Sequence, residues 1–455
     1  MDCFSKIMTI LRELPTIQKM LYERTNSSQV IQRFIEPIEM TMDSFDIFNI
    51  LSIIGMILTC AVYYWIFHIP IDWKRRLEDV SYDLALGRDR NMKAKQKRDT
   101  INRMRRLRKI GINDLPPPYP NGWYCIAESP AVKKEEAISV ACLGEQFVVF
   151  RTATNEVHVL DAYCPHLGAN LGIGGKVIGD SIECPFHQWA FRGTDGKCVN
   201  VPYSSCGAPA ASKVRRWISK EMHEMIFIWY HIDSEEPWEL PEIEQVENKE
   251  YVYQGRNEFI VSCHIQEIPE NGADLAHFTA IHNPSVLAGS SPKDNPLAVL
   301  GTHRWDATWK GSKTESKHIS TLSLNHLLEI YPKVQFCQVD VVGVQIGPAY
   351  VQLHMKSIFG KFVAVQTVTP LEPLVQKVIH RFYGPRLMSP FMKFIVIAES
   401  IMVERDINMW NHKTYRSKPH LVKEDHSIKS FRNWYSQFYS DNSKSFAHAQ
   451  ENLDW

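Results

Sequence analysis

From Ile47 to Ile69 the chain reads IFNILSIIGMILTCAVYYWIFHI, an apolar run with no Asp, Glu, Lys or Arg. A helix of that length crosses the hydrocarbon core of a bilayer. A buried core helix would carry a polar stripe, and this run has almost none. The pattern predicts a transmembrane helix over 47–69, with Tyr63, Tyr64 and Trp65 near one end, where aromatic rings favour the headgroup layer. Residues 1–46 precede it as a short N-terminal segment. Residues 70–120 form a charged, helix-prone juxtamembrane linker that ends where Pro116, Pro117 and Pro118 break any helix.

Beyond the prolines the hydrophobic period shortens. QFVVFRT (146–152), EVHVLDAY (156–163) and MIFIWYHI (225–232) are strand-like runs parted by Gly, Asn and Asp turns, so residues 121–233 read as a small all-β domain. PWELPEIEQ, around Trp238, reads as a linker. From about Tyr251 strands alternate with helices, among them FIVSCHI (259–265), FVAVQTVTP (362–370) and a long helix from Ser389 to Lys413. The fold class is therefore α+β: an N-terminal transmembrane helix, an all-β domain and an α+β domain over 234–440. The last 30 residues are polar and are expected to pack loosely, with 441–455 a tail.

Charge orients the span. Lys74, Arg75 and Arg76 follow it, and Glu36, Glu39, Asp43 and Asp46 precede it, so the positive-inside tendency places the C-terminal part in the cytosol. The expectation is a single-pass membrane protein, of the endoplasmic reticulum, whose N-terminal segment faces the lumen. Asn26-Ser27-Ser28 is a formal glycosylation sequon on that side. Lys+Arg and Asp+Glu balance at 51 each, which gives nucleic acid no electrostatic hold. The basic run KAKQKRDTINRMRRLRK suits a solvated helix near anionic lipid better than a nucleic-acid patch. The ten cysteines lack the spacing of a disulfide framework, which favours a reducing compartment. Those without a partner at ligand spacing (Cys125, Cys142, Cys198, Cys206, Cys263, Cys337) are expected to be buried structural thiols.

Two constellations carry chemistry. In the β domain Cys164-Pro165-His166 is followed by Cys184-Pro185-Phe186-His187. Each loop offers one thiolate and one imidazole, which is the inventory of a Rieske [2Fe-2S] cluster with two cysteines on one iron and two histidines on the other. Tetrahedral zinc is the alternative, but zinc knuckles usually pair cysteine with cysteine. Gly168 and Trp189 suit loops that cover a cluster. The GIGGK run at 172–176 lacks phosphate-loop spacing and is read as tight turns.

In the α+β domain stands NGADLAHFTAIH, with Asp274, His277 and His282. The two histidines are five apart, about 140° around an ideal helix, so one metal can collect both only if the helix ends or distorts just there. Two histidines and one carboxylate form the facial triad of non-haem Fe(II) oxygenases. The expected third ligand is Asp406, on the late helix, with Glu404 its rival. Asp274 is read as a residue that orients a histidine by accepting its distal ring N–H and that links the two centres. A helix with surface histidines is the bland alternative.

In this order the motifs resemble those of the Rieske non-haem iron oxygenases, over roughly Asn121 to Lys413. The resemblance implies cluster ligands Cys164, His166, Cys184 and His187, iron ligands His277, His282 and Asp406, and an inter-centre electron bridge at Asp274. It also implies O2 as oxidant, NAD(P)H acting through a separate reductase, a helix-grip-like catalytic domain, and a head-to-tail homotrimer in which electrons cross a subunit boundary. The anchor, with NGADLAHFTAIH and RDINMW, looks like the animal sterol branch, the Neverland-type cholesterol 7-desaturases. That branch implies conversion of cholesterol to 7-dehydrocholesterol on the way to ecdysteroid-type hormones, with substrate-contacting apolar positions between Leu322 and Ile397. Alternatives are a steroid hydroxylase or oxidative demethylase of the same superfamily, and a membrane-anchored Rieske electron carrier.

Overall fold

The computed structural model describes residues 44–75, 115–293, 295–313, 316–331 and 333–451. The N-terminal segment with its sequon and most of the basic linker lie outside the described residues. By contacts the chain divides at His68.

The first unit holds helix α1 (Ser44–His68). It starts three residues before the expected span and stops short of Pro70, before which helical backbone is disfavoured. Asn49–His68 is apolar and long enough to cross a membrane, and none of its residues is buried within the protein.

The second unit, Ile69–Trp455, opens with β1 (Ile71–Arg75). The β domain follows as three small sheets. Strands β2 (Gly122–Glu128), β3 (Ala137–Cys142), β4 (Glu145–Arg151) and β5 (Val157–Asp161) precede the cluster loops. Strands β6 (Lys176–Ile178), β7 (Ser181–Glu183), β8 (Ala190–Arg192) and β9 (Cys198–Asn200) carry them, and β10 (Ser219–Met222) and β11 (Met225–Tyr230) close the domain. The sheets run β10-β11-β2, β3-β4-β5 and β6-β7-β8-β9. In β4 the apolar run is continuous because both faces are covered. Phe147 and Val149 join a core shared with the catalytic domain, while Val148 and Phe150 pack toward Cys164, Cys184 and Trp189.

The catalytic domain is one eight-stranded sheet. After β12 (Val252–Val261) come β13 (Gly301–Gly311), β14 (Ile319–Ile330), β15 (Val334–Ile346), β16 (Tyr350–Ser357), β17 (Gly360–Glu372) and β18 (Val375–Gly384). The order is β1-β12-β18-β17-β16-β15-β14-β13. All pairings are antiparallel except β1 with β12, where a Cβ on Gly255 would lie 2.5 Å from the Ile71 carbonyl oxygen. The FIVSCHI strand ends at Val261, and its last residues lead into the helical turn Glu267–Glu270. Helix α2 (Leu275–His282) packs on β13, and the long α3 (Ser389–Trp410) lies along β12, β18 and β1. This is the expected α+β class.

The two domains share more than a linker. Tyr124, Phe147 and Ile228 are in one core cluster with Phe259, Val378 and Ile407. Arg381 bridges the Glu128 and Glu224 carboxylates, joining β18 to the β domain. Trp238, in the expected linker, stacks edge-on against Trp229.

The described part of the last 30 residues packs onto the domain, contrary to expectation. Helix α4 (His426–Tyr435) and the turn after it bury Phe431, Trp434, Tyr435 and Phe438. Their spacing of three, one and three is that of a single helix face. Helix α5 (Phe446–Glu451) adds buried Phe446 and Ala449. Among the expected structural thiols Cys206, in the loop after β9, is exposed and Cys198, on the edge strand β9, is half-buried; the other four are buried.

Candidate metal centres and substrate cavity

The cluster loops are near copies of each other. The Cys164 carbonyl accepts from Gly168 N–H and the Cys184 carbonyl from Gln188 N–H, at 2.9 and 3.0 Å. Each cysteine N–H donates one residue further on, to Ala169 and to Trp189. Both turns need positive φ, 74° at Gly168 and 60° at Gln188, a conformation glycine adopts freely and a side chain only at some cost. Cys164 and Cys184 are buried while His166 and His187 are half-buried, their rings 4.7 Å apart. Burial pushes the Cys164 thiol up to about 11, so a metal rather than water is the natural stabiliser of its thiolate. The Trp189 indole stacks on His166 at 4.6 Å and donates to the Tyr203 hydroxyl at 2.8 Å. Two buried sulfurs facing two solvent-edge imidazoles fit a Rieske cluster.

The second site is assembled from distant chain segments. His277 Nε2, His282 Nε2 and one Asp406 oxygen converge, with Asp406 Oδ1 at 3.9 Å from the first and 3.0 Å from the second. All three residues are buried. Ligand atoms held about 2.1 Å from one ion lie roughly 3–4 Å apart, so the set fits a metal. A buried carboxylate facing two imidazoles also needs a cation nearby. As the spacing required, α2 ends at His282. Glu404, the rival, is turned elsewhere and accepts from the Trp73 indole at 3.3 Å.

Asp274 departs from its expected geometry. It is the N-cap of α2 rather than a residue on it, and its carboxylate accepts the His277 backbone N–H at 3.3 Å. The His277 ring instead donates Nδ1–H to the backbone carbonyl of Asp274. The ring is oriented by this residue, but through its main chain, because a side chain occupied in capping cannot reach the ring as well. With Nδ1 protonated, Nε2 keeps its lone pair for a metal.

Sequence reasoning missed the device that joins the two halves of the triad. Arg405, 2 % exposed, sends its guanidinium to the carbonyls of Pro284, Ser285 and Gly289 at 2.8, 2.8 and 3.1 Å. The loop leaving His282 is thus tied to the residue beside Asp406. Arg432 of α4 grips Glu270 in a two-pronged pair at 2.7 and 2.9 Å, securing the turn before α2. A cation between two carboxylates, beside a ligand, was the available signal for the first; the α4 face was the signal for the second.

The triad opens on a cavity of about 350 Å³ between the sheet and α3, within the range of ligand pockets. Its walls are mostly apolar, with Leu322, Val341, Leu353 and Phe362 among them. They fall in the expected 322–397 stretch, although Phe278, Trp305 and Met402 lie outside it. Trp305 stacks on Phe278 at 5.5 Å and His326 at 4.2 Å, forming an aromatic wall beside His282.

Residues 122–217 match the Rieske [2Fe-2S] domain family, and 228–439 match the 3-ketosteroid 9alpha-hydroxylase C-terminal domain. The chain is 49 % identical over 394 residues to cholesterol 7-desaturase of Drosophila melanogaster, covering 86 % of this chain and 91 % of that one. Against the cholesterol 7-desaturase of Caenorhabditis elegans it is 38 % identical over 403 residues, covering 86 % and 92 %. It is 28 % identical to the oxygenase component of 3-ketosteroid-9-alpha-monooxygenase of Rhodococcus rhodochrous, covering 74 % and 87 %. Among solved structures, dicamba monooxygenase bound to dicamba superposes with a TM-score of 0.51 at 16 % identity, covering 70 % of this chain and 96 % of that one. The terminal oxygenase of carbazole 1,9a-dioxygenase from Novosphingobium sp. KA1 gives 0.52 at 15 %, covering 74 % and 99 %. These two likenesses concern the fold.

Proposed function

The chain belongs to the cholesterol 7-desaturase family of Rieske oxygenases, and from that premise we propose that it removes two hydrogens across C7 and C8 of cholesterol to give 7-dehydrocholesterol. The observation that carries this reading is the buried two-histidine, one-carboxylate set at the wall of an apolar cavity. The balance is simple. The sterol gives up two hydrogens, a reductase supplies two electrons from NAD(P)H, two protons enter, and O2 leaves as two waters.

In this reading Cys164, His166, Cys184 and His187 hold the [2Fe-2S] cluster, and His277, His282 and Asp406 hold Fe(II). The cluster relays single electrons, and the iron, when bound, supplies the activation of O2. The protein's own work is positional. The Asp274 carbonyl fixes the His277 tautomer, Arg405 fixes the distance from α2 to α3, and the Trp305 wall with the apolar lining keeps water from the reacting face. Asp274, half-buried at the start of α2, is the electron bridge between centres, and the bridge crosses a subunit boundary in a homotrimer. Helix α1 anchors the chain in the bilayer, where cholesterol resides. The catalytic part faces the cytosol from the endoplasmic reticulum, within reach of the reductase.

A second reading, oxygen insertion, draws support from the match to a hydroxylase C-terminal domain. Membranes carrying the chain, supplied with cholesterol, NADPH, air and a reductase, separate the two by mass spectrometry. A product two mass units lighter supports desaturation, and one sixteen heavier supports hydroxylation. No product with both centres loaded overturns cholesterol as substrate.

A further inference from the structure

The cavity wall is mostly apolar; beyond the triad its buried polar groups include Ser320 with Gln345, whose side chains bond each other, and two places that hold histidines. One is His303 with His326, whose Nδ1 and Nε2 lie 2.7 Å apart. The other is on the opposite side of the sheet order, where β18, β17 and β12 run side by side. There His380 is in register with Gln366 on one neighbour and with Asn257 on the other, and Glu399 reaches in from α3. His380 Nδ1 pairs with one Glu399 oxygen, and the Asn257 amide donates to the other. The His380 side chain is only 5 % exposed, and both ring nitrogens are buried without a hydrogen bond among the described residues: Nδ1 meets Glu399 as a charged contact, and Nε2 has no partner. His380, Glu399 and Gln366 all line the cavity.

An unpartnered buried ring nitrogen in an apolar cavity costs free energy unless a ligand satisfies it. Nδ1 faces the Glu399 carboxylate, so Nε2 is the ring nitrogen open to a ligand, an acceptor in the tautomer with the hydrogen on Nδ1. Gln366 beside it offers amide donors and a carbonyl. One alcohol satisfies both neighbours, its O–H donating to Nε2 and its oxygen accepting from the amide.

Distance selects between the two polar places. Glu399 stands seven residues before Asp406 on one helix face, two turns, or about 10 Å along the axis. In cholesterol the 3-hydroxyl oxygen is five bonds from C7 across fused rings, roughly 6 Å with carbon–carbon bonds of about 1.5 Å. The remaining roughly 4 Å along the axis separates the reacting carbon from the ligands and leaves room for a near-attack contact of about 3–3.5 Å. His303 is too near for this role: its backbone N–H donates to the carbonyl of Asn283, the residue after His282, at 2.8 Å. A hydroxyl held there would bring the wrong end of the sterol to the iron.

We propose that His380, oriented by Glu399 and flanked by Gln366, is the subsite that receives the 3-hydroxyl of the sterol and so sets C7 at the iron. The proposal rests on the desaturase reading and adds to it a residue set for recognising the substrate's one polar group.

The test uses the full chain in membranes and compares cholesterol with cholest-5-ene, which lacks only the hydroxyl. A site built to hydrogen-bond a hydroxyl strongly rejects the analogue without it. The expected wild-type preference is at least about 100-fold in kcat/KM. His380→Leu is expected to collapse that preference to within about fivefold, mostly through a raised KM for cholesterol, while the visible spectrum of the cluster is unchanged. Glu399→Gln should fall between. If the wild-type chain desaturates both sterols equally, the subsite is wrong and the desaturase reading stands. If neither sterol reacts with both centres loaded, the reaction falls and the subsite with it. Should His380→Leu fail to load its cluster, Gln366→Leu carries the test: a loaded variant that keeps the full wild-type preference overturns the subsite.

Discussion

The cluster loops draw four candidate ligands from residues 164–187, whereas the iron set reaches from His277 to Asp406. Each cluster loop is closed by its own backbone bonds, cysteine carbonyl to the amide four residues on. The iron set has no such closure: α2 brings two imidazoles, and the carboxylate depends on Arg405 and on packing of α3 against the sheet. A local site survives changes elsewhere in the chain. An assembled site reports on the whole catalytic domain.

The largest effects should come from removing one ligand of each kind. Cys184→Ser is expected to bleach the visible absorption of the cluster and stop multiple turnover, by at least about 10³-fold, while iron at the second site remains. Asp406→Ala should abolish product to the same degree with the cluster spectrum intact. Loss of both centres in either variant would mean the two regions are not independent.

Arg405→Met sharpens the contrast without touching a ligand. Three carbonyls lose a buried charged donor, a loss of about 2–4 kcal/mol. Thermal unfolding and metal analysis should therefore show a less stable chain with poor iron occupancy at the second site and a filled cluster. An unchanged iron content would remove Arg405 from the account.

Asp274 separates capping from electron transfer. Asparagine caps a helix nearly as well as aspartate, and alanine loses about 1 kcal/mol. If the charge serves the bridge, Asp274→Asn keeps stability and reduction of the cluster but loses product formation, in a single turnover from pre-reduced protein as in the steady state. A normal steady-state rate in that variant would assign the side chain to capping alone.

The smallest effect concerns acid. His223 Nε2 accepts from Ile243 N–H at 2.8 Å, and His264 Nδ1 accepts from Gln266 N–H at 3.2 Å. Burial lowers both to about 4. Between about 6.5 and 4 the unfolded chain binds protons that the folded one refuses, so stability is full above the ordinary histidine value and falls as pH drops through this window. Thermal unfolding should show that slope, shallower in His223→Phe if the variant folds. A midpoint independent of pH over 4–6.5 would contradict it.

How much of this was legible in the sequence follows the same division. The cluster motif could be read outright because its geometry is local, two short loops whose turns are fixed by neighbours in the chain. His277 and His282 were legible as a pair, and the end of α2 came where their spacing demanded. Asp406 could only be ranked against Glu404, since two positions on one helix differ by about 200° and nothing local says which side faces α2. The Asp274 side chain was misjudged because capping and ring orientation compete for one carboxylate. The Arg405 clasp and the His380–Glu399 pair depend on elements more than a hundred and about twenty residues apart, which no periodicity encodes. The α4 aromatic face was readable, but its polar remainder obscured it.

The most direct test of the central claim, two centres of separate origin in one chain, is iron and acid-labile sulfide measured on the same samples of wild-type and Asp406→Ala protein. The account predicts about three irons and two sulfides per wild-type chain, and about two and two in the variant. Two irons and two sulfides in both would leave a Rieske electron carrier, with no second iron for the triad to hold.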